Sequence, residues 1–95
     1  MLYRANLCPM PRISYFYGIS IYMYFHDHAP PHFHARYGGD EVKIAIETGE
    51  VLAGGLPRRA TRLVKMWRQS HSKELLERWD QARIGADIKP VTPLP

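Results

Sequence analysis

The stretch His32-Phe-His-Ala-Arg-Tyr-Gly-Gly-Asp-Glu-Val-Lys-Ile-Ala-Ile-Glu47 alternates apolar and polar residues on both sides of a glycine pair. Alternation of period two signals a strand, because successive strand side chains point to opposite faces. Gly38-Gly39 suits a two-residue hairpin turn, in which both central positions favour φ > 0. That turn sets Arg36 opposite Glu41, Ala35 opposite Val42, His34 opposite Lys43 and Phe33 opposite Ile44. Apolar residues then meet apolar residues and polar meet polar, which pins the register.

Working outward, the run from Ile13 to Phe25 is β-branched or aromatic almost throughout and reads as one strand. Its later part alternates Ile19, Ile21, Met23 and Phe25 against Ser20, Tyr22, Tyr24 and His26. Matching faces pairs Tyr24 with His34, Phe25 with Phe33, Met23 with Ala35 and Tyr22 with Arg36. Pro30 and Pro31 stiffen the connection between these strands. On the other side, Glu47-Thr-Gly-Glu50 reads as a turn into a short strand from Val51 to Ala53.

Gly54-Gly55 ends the strand pattern, and Leu56-Pro57 opens a helix. Leu56, Ala60, Leu63, Val64 and Trp67 form its apolar stripe, with Arg58, Arg59, Arg62, Lys65 and Arg68 opposite. The stripe breaks around Ser70-His-Ser72, so Ser72 is expected to cap a second helix carrying Leu75, Leu76, Trp79 and Ala82 and ending near Gly85. The expected fold is therefore α+β: a small antiparallel β-meander of three to four strands, followed by two α-helices packed on one face of the sheet. Residues 1–9 show no periodicity and are expected to be a disordered extension, with Met10 as the true start. Residues 10–85 form a single domain, and 86–95, with three prolines, a C-terminal tail.

Composition narrows the function classes. Ninety-five residues with 45% hydrophobic content support one core. A single cysteine excludes an internal disulfide and a thiolate metal site, and suits the cytoplasm. The longest apolar run is too short and too interrupted to span a bilayer, so no membrane partner is expected. A net charge of +4 permits an acidic partner such as RNA or DNA without demanding one. Arginines opposite a core stripe are what solubility requires, and phosphate-backbone contact is the alternative role for that helix face.

The second face of the sheet is expected to gather Tyr22, Tyr24, His26, His32, His34, Arg36 and Lys43. Four of the five histidines fall between His26 and His34. Three readings fit them. In the first, His28, His32 and His34 ligate zinc or another divalent metal, with water or Asp27 in the fourth position. In the second, His32 and His34 act as acid and base on a phosphodiester, assisted by His28, while Arg36 and Lys43 hold phosphate and Tyr22 and Tyr24 stack on bases. In the third, the histidines hydrogen-bond loop carbonyls and hold the hairpin in register. Trp67 and Trp79, on apolar stripes, read as core residues, and His71 as part of the helix junction.

Several strings share a pattern: Pro11-Arg-Ile-Ser, Phe16-Tyr-Gly-Ile19, Met23-Tyr-Phe, His28-x-Pro-Pro-His-Phe-His34, Tyr37-Gly-Gly39, Ile46-Glu-Thr-Gly-Glu-Val51, Gly54-Gly-Leu-Pro57 and Trp79. Together they resemble the bacterial domain of unknown function 4160 family, from Met10 to about Leu94. Members are often encoded beside a domain of unknown function 2442 protein, and such pairs are regarded as toxin–antitoxin modules. The resemblance thus implies a cytoplasmic toxin of a type II pair, with a 2442-type antitoxin as its partner. It carries over to His28, Pro30, Pro31, His32, Phe33 and His34, and leaves His26 outside. Combined with the histidine face, it leads to the expectation of a nucleic-acid-cleaving toxin. The alternatives are a non-enzymatic module docking a cognate protein or DNA, and a His-ligated zinc hydrolase.

Overall fold

A computed structural model describes residues 11–95. The expectations for residues 1–9 and for Met10 as the start lie outside the described residues. The chain folds as α+β, with an antiparallel sheet of five strands in sequential order, β1-β2-β3-β4-β5, and a long helix after it. The strands are β1 (Arg12–Phe16), β2 (Ile19–Tyr22), β3 (His32–Tyr37), β4 (Asp40–Ala45) and β5 (Val51–Gly54), and the helix is α1 (Arg58–Arg83).

The β3–β4 hairpin has the register set by its alternation: Phe33 faces Ile44, His34 faces Lys43, Ala35 faces Val42 and Arg36 faces Glu41. Of the two turn glycines, Gly38 alone has positive φ, at 60°, which is the type II′ pattern and not the two-fold positive one.

The expected strand from Ile13 to Phe25 is two strands. Tyr17 and Gly18, with φ of 52° and 79°, form a two-residue turn between Phe16 and Ile19, which face each other. Both central residues of such a turn sit at positive φ, and a tyrosine in the first of them hides the turn from a residue-type reading. The hairpin uses up chain that was expected to pair further along. Tyr22 therefore lies opposite His34, and Ile21 opposite Ala35, two residues away from the expected register. A shift of two keeps every side chain on its expected face.

The helical region is also corrected. The two expected helices are one helix, kinked at His71 (φ −125°, ψ 17°), and Ser72 lies inside it. His71 stands four residues after Trp67 and four before Leu75, so it continues the buried stripe of Ala60, Val64, Trp67, Leu75, Trp79 and Ala82. Its ring stacks on Trp67 at 5.6 Å, and Nδ1 donates to the Trp67 carbonyl at 3.0 Å, within the turn that the kink loosens. At the C-terminus Gly85 takes φ 77°, and the Gly85 and Ala86 amides donate to the Ala82 and Gln81 carbonyls, a Schellman closure.

The helix covers the sheet face of Phe16, Ile19, Ile21, Phe33, Ala35, Val42 and Ile44, all buried. Trp67 is the hub of that core, with its ring 5.3 Å from Phe16 and 5.6 Å from Phe33. Residues 86–95, expected to be a tail outside the domain, instead pack onto it. Ile88 and Val91 are buried, the Val91 amide donates to the Ile13 carbonyl, and Trp67 Nε1 donates to the Thr92 carbonyl at 2.8 Å. Prolines stop helix and sheet there without stopping burial.

Replacing Trp67 with alanine should therefore destabilise the fold by about 3–5 kcal/mol, the usual loss for a buried tryptophan. Deleting residues 86–95 removes two buried apolar side chains at about 1.5–3 kcal/mol each. Urea unfolding checks both, and an unchanged midpoint after the deletion would show that the C-terminal segment is not part of the core.

Candidate functional site

After Tyr22 the chain leaves the sheet and wraps the end of α1. The His26 amide donates to the Ala82 carbonyl at 3.0 Å, and His26 Nδ1 donates to the Arg83 carbonyl at 3.1 Å. This places two further donors against carbonyls of the last helical turn, whose negative end they complement. His26 itself sits at φ 56°, which bends the loop back toward the start of β3. At the other end of the loop, the Pro31 carbonyl accepts from the Ile46 amide. The Ala29–Pro30 peptide is cis.

The clamped loop delivers Asp27 to the histidines of β3. Asp27 Oδ1 accepts from the His28 amide at 2.8 Å. Its Oδ2 lies 2.8 Å from His32 Nε2 and 3.8 Å from His34 Nε2. One atom each from Asp27, His32 and His34 thus lies within 4.8 Å of the others.

Each ring is oriented from behind. His32 Nδ1 donates to the Pro30 carbonyl at 2.7 Å, and Trp79 lies 5.1 Å from the ring. His34 Nδ1 donates to Glu41 Oε2 at 3.1 Å, and Tyr24 meets the ring edge-on at 4.5 Å. Glu41 is in turn held by Arg36 Nε at 2.7 Å, and the Arg36 guanidinium lies 5.2 Å over Tyr22. Because a carbonyl and a carboxylate only accept, both Nδ1 atoms carry protons and both Nε2 atoms turn toward Asp27.

Burial lowers the His34 pKa below the ordinary histidine value, with the neighbouring His32 adding to the effect and the Glu41 hydrogen bond opposing it. Burial pushes the Asp27 carboxyl up, but the His28 amide and the charge and hydrogen bond of His32 outweigh it and hold the carboxyl below its usual value. Glu41 is likewise raised by burial and lowered further by Arg36 and His34, with a net downward shift. Tyr24 is raised, first by burial and then by the Glu41 charge. His34 Nε2 is buried without a hydrogen-bond partner, whereas its ring opens onto a cleft of about 410 Å³.

That cleft is lined by Tyr24, Phe25, His26, Asp27, His28, His34 and Lys43. It therefore brings together Tyr24, His28, His34 and Lys43 from the expected site residues. Tyr22 and Arg36 lie on the same face but stack on each other outside the cleft lining. His32 is 1% exposed and stands behind Asp27, so it touches Asp27 and not the cleft. His28 is exposed at the mouth, and Asp27 takes the position beside His32 and His34 that the expected trio assigned to His28. Glu41 was legible only as the partner of Arg36. Its contact with His34 follows from the same hairpin, since a diagonal neighbour on one face is within reach of a long side chain.

A second, larger cleft of about 600 Å³ lies between the Thr48-Gly49 turn and α1, lined by Arg58, Arg62, Lys65 and Arg68 among others. Arg68 Nη1 bridges its floor by donating to the Ile46 carbonyl. No helix of the described residues is long and apolar enough to cross a membrane.

Sequence comparison places the chain in a family. The model described as Domain of unknown function (DUF4160) matches residues 18–80, and the protein belongs to that family. No curated protein and no solved structure matches it.

The downward shifts of His34, Asp27 and Glu41 act in one direction on stability. Between the folded and unfolded pKa of each group, the unfolded chain binds more protons, so stability falls as pH falls. In chelator-treated protein, urea unfolding should give a level stability above about pH 7 and a decline below the ordinary histidine value of about 6.5, with a further decline below about pH 4 from the carboxylates. His34→Gln should remove the first decline and keep the second. A flat profile between pH 7 and 5 in the native protein would contradict the assignment.

Proposed function

We propose that this protein is a cytoplasmic nuclease toxin of a toxin–antitoxin pair, which cleaves RNA at the cleft beside Asp27. The observation that carries the proposal is His34, whose ring opens onto a cleft with Lys43, His28 and Tyr24 and whose Nε2, enclosed just behind it, lacks a hydrogen-bond partner. A ring with a lowered pKa keeps its lone pair at neutral pH. A small rotation of the ring would bring that lone pair to the cleft, where it would take the proton of the attacking oxygen. Lys43 balances charge on the phosphate, His28 supplies the proton donor at the mouth, and Tyr24 offers an aromatic surface to a base. His32, shielded from the cleft, acts through Asp27 as a positioning residue.

Charge elsewhere fits a polyanionic substrate. No acidic residue occurs between Glu50 and Glu74, while Arg58, Arg59, Arg62, Lys65, Arg68 and Lys73 do. Four of these line the larger cleft, where a phosphate backbone would run.

One observation favours the second reading, a non-enzymatic module that docks a cognate protein. β5 is an outer strand of the sheet, with Val51, Ala53 and Gly54 exposed. Such an edge accepts a strand from another chain. In the toxin reading this edge is where the antitoxin, a 2442-type protein by family resemblance, binds.

Inducing the protein alone in bacteria should arrest growth, and the folded His34→Ala variant should not, while its affinity for the co-expressed partner stays within a few-fold. Growth arrest that persists in His34→Ala would overturn the nuclease assignment. Simultaneous loss of arrest and partner binding would favour the docking module.

A further inference from the structure

We propose that Asp27, His32 and His34 form a binding site for one divalent transition-metal ion of the zinc class. The inference deepens the nuclease reading, on which a role for the ion in cleavage rests, whereas the binding itself stands on geometry alone.

Three observations converge. First, both histidines present the arrangement typical of metal ligands: one ring nitrogen donates outward to an oxygen, fixing the ring, and the other turns inward. His32 uses the Pro30 carbonyl and His34 uses Glu41, a carboxylate–histidine pairing that raises ligand basicity. Second, the inward nitrogens converge on the same oxygen, Asp27 Oδ2. Because Nδ1 of His32 already donates to Pro30, the close approach of its Nε2 to a carboxylate oxygen calls for a cation between them, either a proton or a metal. The Nε2 of His34 is buried and has no hydrogen-bond partner. Third, the spacing is right. Ligands bound tetrahedrally at about 2.0–2.1 Å stand about 3.3 Å apart. The separations from Asp27 Oδ2, 2.8 Å and 3.8 Å, straddle that value, and all three ligand atoms lie within 4.8 Å of one another.

The donor set selects the ion. Two imidazoles and a single carboxylate suit zinc, cobalt or a related first-row ion, and are too poor in oxygen for calcium or magnesium. Three protein ligands leave coordination positions open, and the cleft of Tyr24, His28 and Lys43 is the side from which a water or a phosphate oxygen would fill them.

The test uses untagged, full-length protein stripped with chelator and titrated with Zn²⁺ by calorimetry, with Co²⁺ as a spectroscopic probe. One Zn²⁺ per chain is expected, with a tetrahedral or five-coordinate Co²⁺ absorption spectrum. Asp27→Asn and His34→Gln should abolish both. Glu41→Gln, which leaves all three ligands, should weaken Zn²⁺ by about 10- to 100-fold. His28→Ala should leave the stoichiometry unchanged. Circular dichroism confirms folding of each variant, and should Asp27→Asn fail to fold, Glu41→Gln and the Co²⁺ spectrum of the native protein still decide. Folded native protein that binds neither ion, or variants that bind both as tightly as it does, would overturn the proposal. The two readings fail separately: growth arrest that depends on His34 in a protein without metal affinity removes the metal site alone, and tight metal binding without growth arrest removes the nuclease alone.

Discussion

The pleat of β3 couples the core of this protein to its candidate site. Phe33 and Ala35 point into the core beneath α1, and the residues interleaved with them, His34 and Arg36, point the other way. Each inward residue therefore anchors an outward one. Slipping this strand by a single residue would put two imidazoles and a guanidinium against Trp67 and expose a phenylalanine, so the apolar packing enforces the position of the polar groups. The histidines owe their fixed positions to side chains on the opposite face of the sheet.

This coupling explains which parts of the structure were legible in the sequence. The β3–β4 register followed from alternation because the strands carry clean two-faced patterns joined by a glycine pair. The β1–β2 hairpin was hidden because Tyr17 fills a turn position that normally announces itself with Asn, Asp or Gly. Its cost to the expected site was small, since the resulting displacement was an even number of residues and faces were conserved. His71 misled for the opposite reason. A polar residue type reads as the end of an apolar stripe, but an imidazole stacked on Trp67 and bonded to its carbonyl behaves as a core side chain. The packing of residues 86–95 was illegible because proline-rich segments lack periodicity, and periodicity is what a sequence reader measures.

The site was legible in its residue types and only partly in its assignments. His34, Tyr24 and Lys43 were expected together on one face and line one cleft. The exchange of His28 for Asp27 turns on the loop conformation. His26 at positive φ and its two contacts with the end of α1 settle which of the neighbouring side chains turns inward. No local pattern contains that information, because the helix that receives His26 ends more than fifty residues later.

The polar group beneath Asp27 is an expensive way to join a loop to a sheet. A buried ion pair recovers little beyond its own desolvation, and apolar residues of similar volume often stabilise as well or better. His32 is almost wholly enclosed, with Trp79 against its ring, in a position where a leucine or phenylalanine would extend the core without needing two hydrogen-bond partners. The same holds for His34, whose Nε2 is enclosed and unpaired, a defect that a structural role would not require. Sequences depart from local packing rules chiefly where chemistry demands it. His32 meets the loop carbonyl of Pro30, as a structural role would have it, yet two histidines with one nitrogen satisfied by a dedicated oxygen and the other held toward a shared carboxylate also form an arrangement that a cation or a proton would complete.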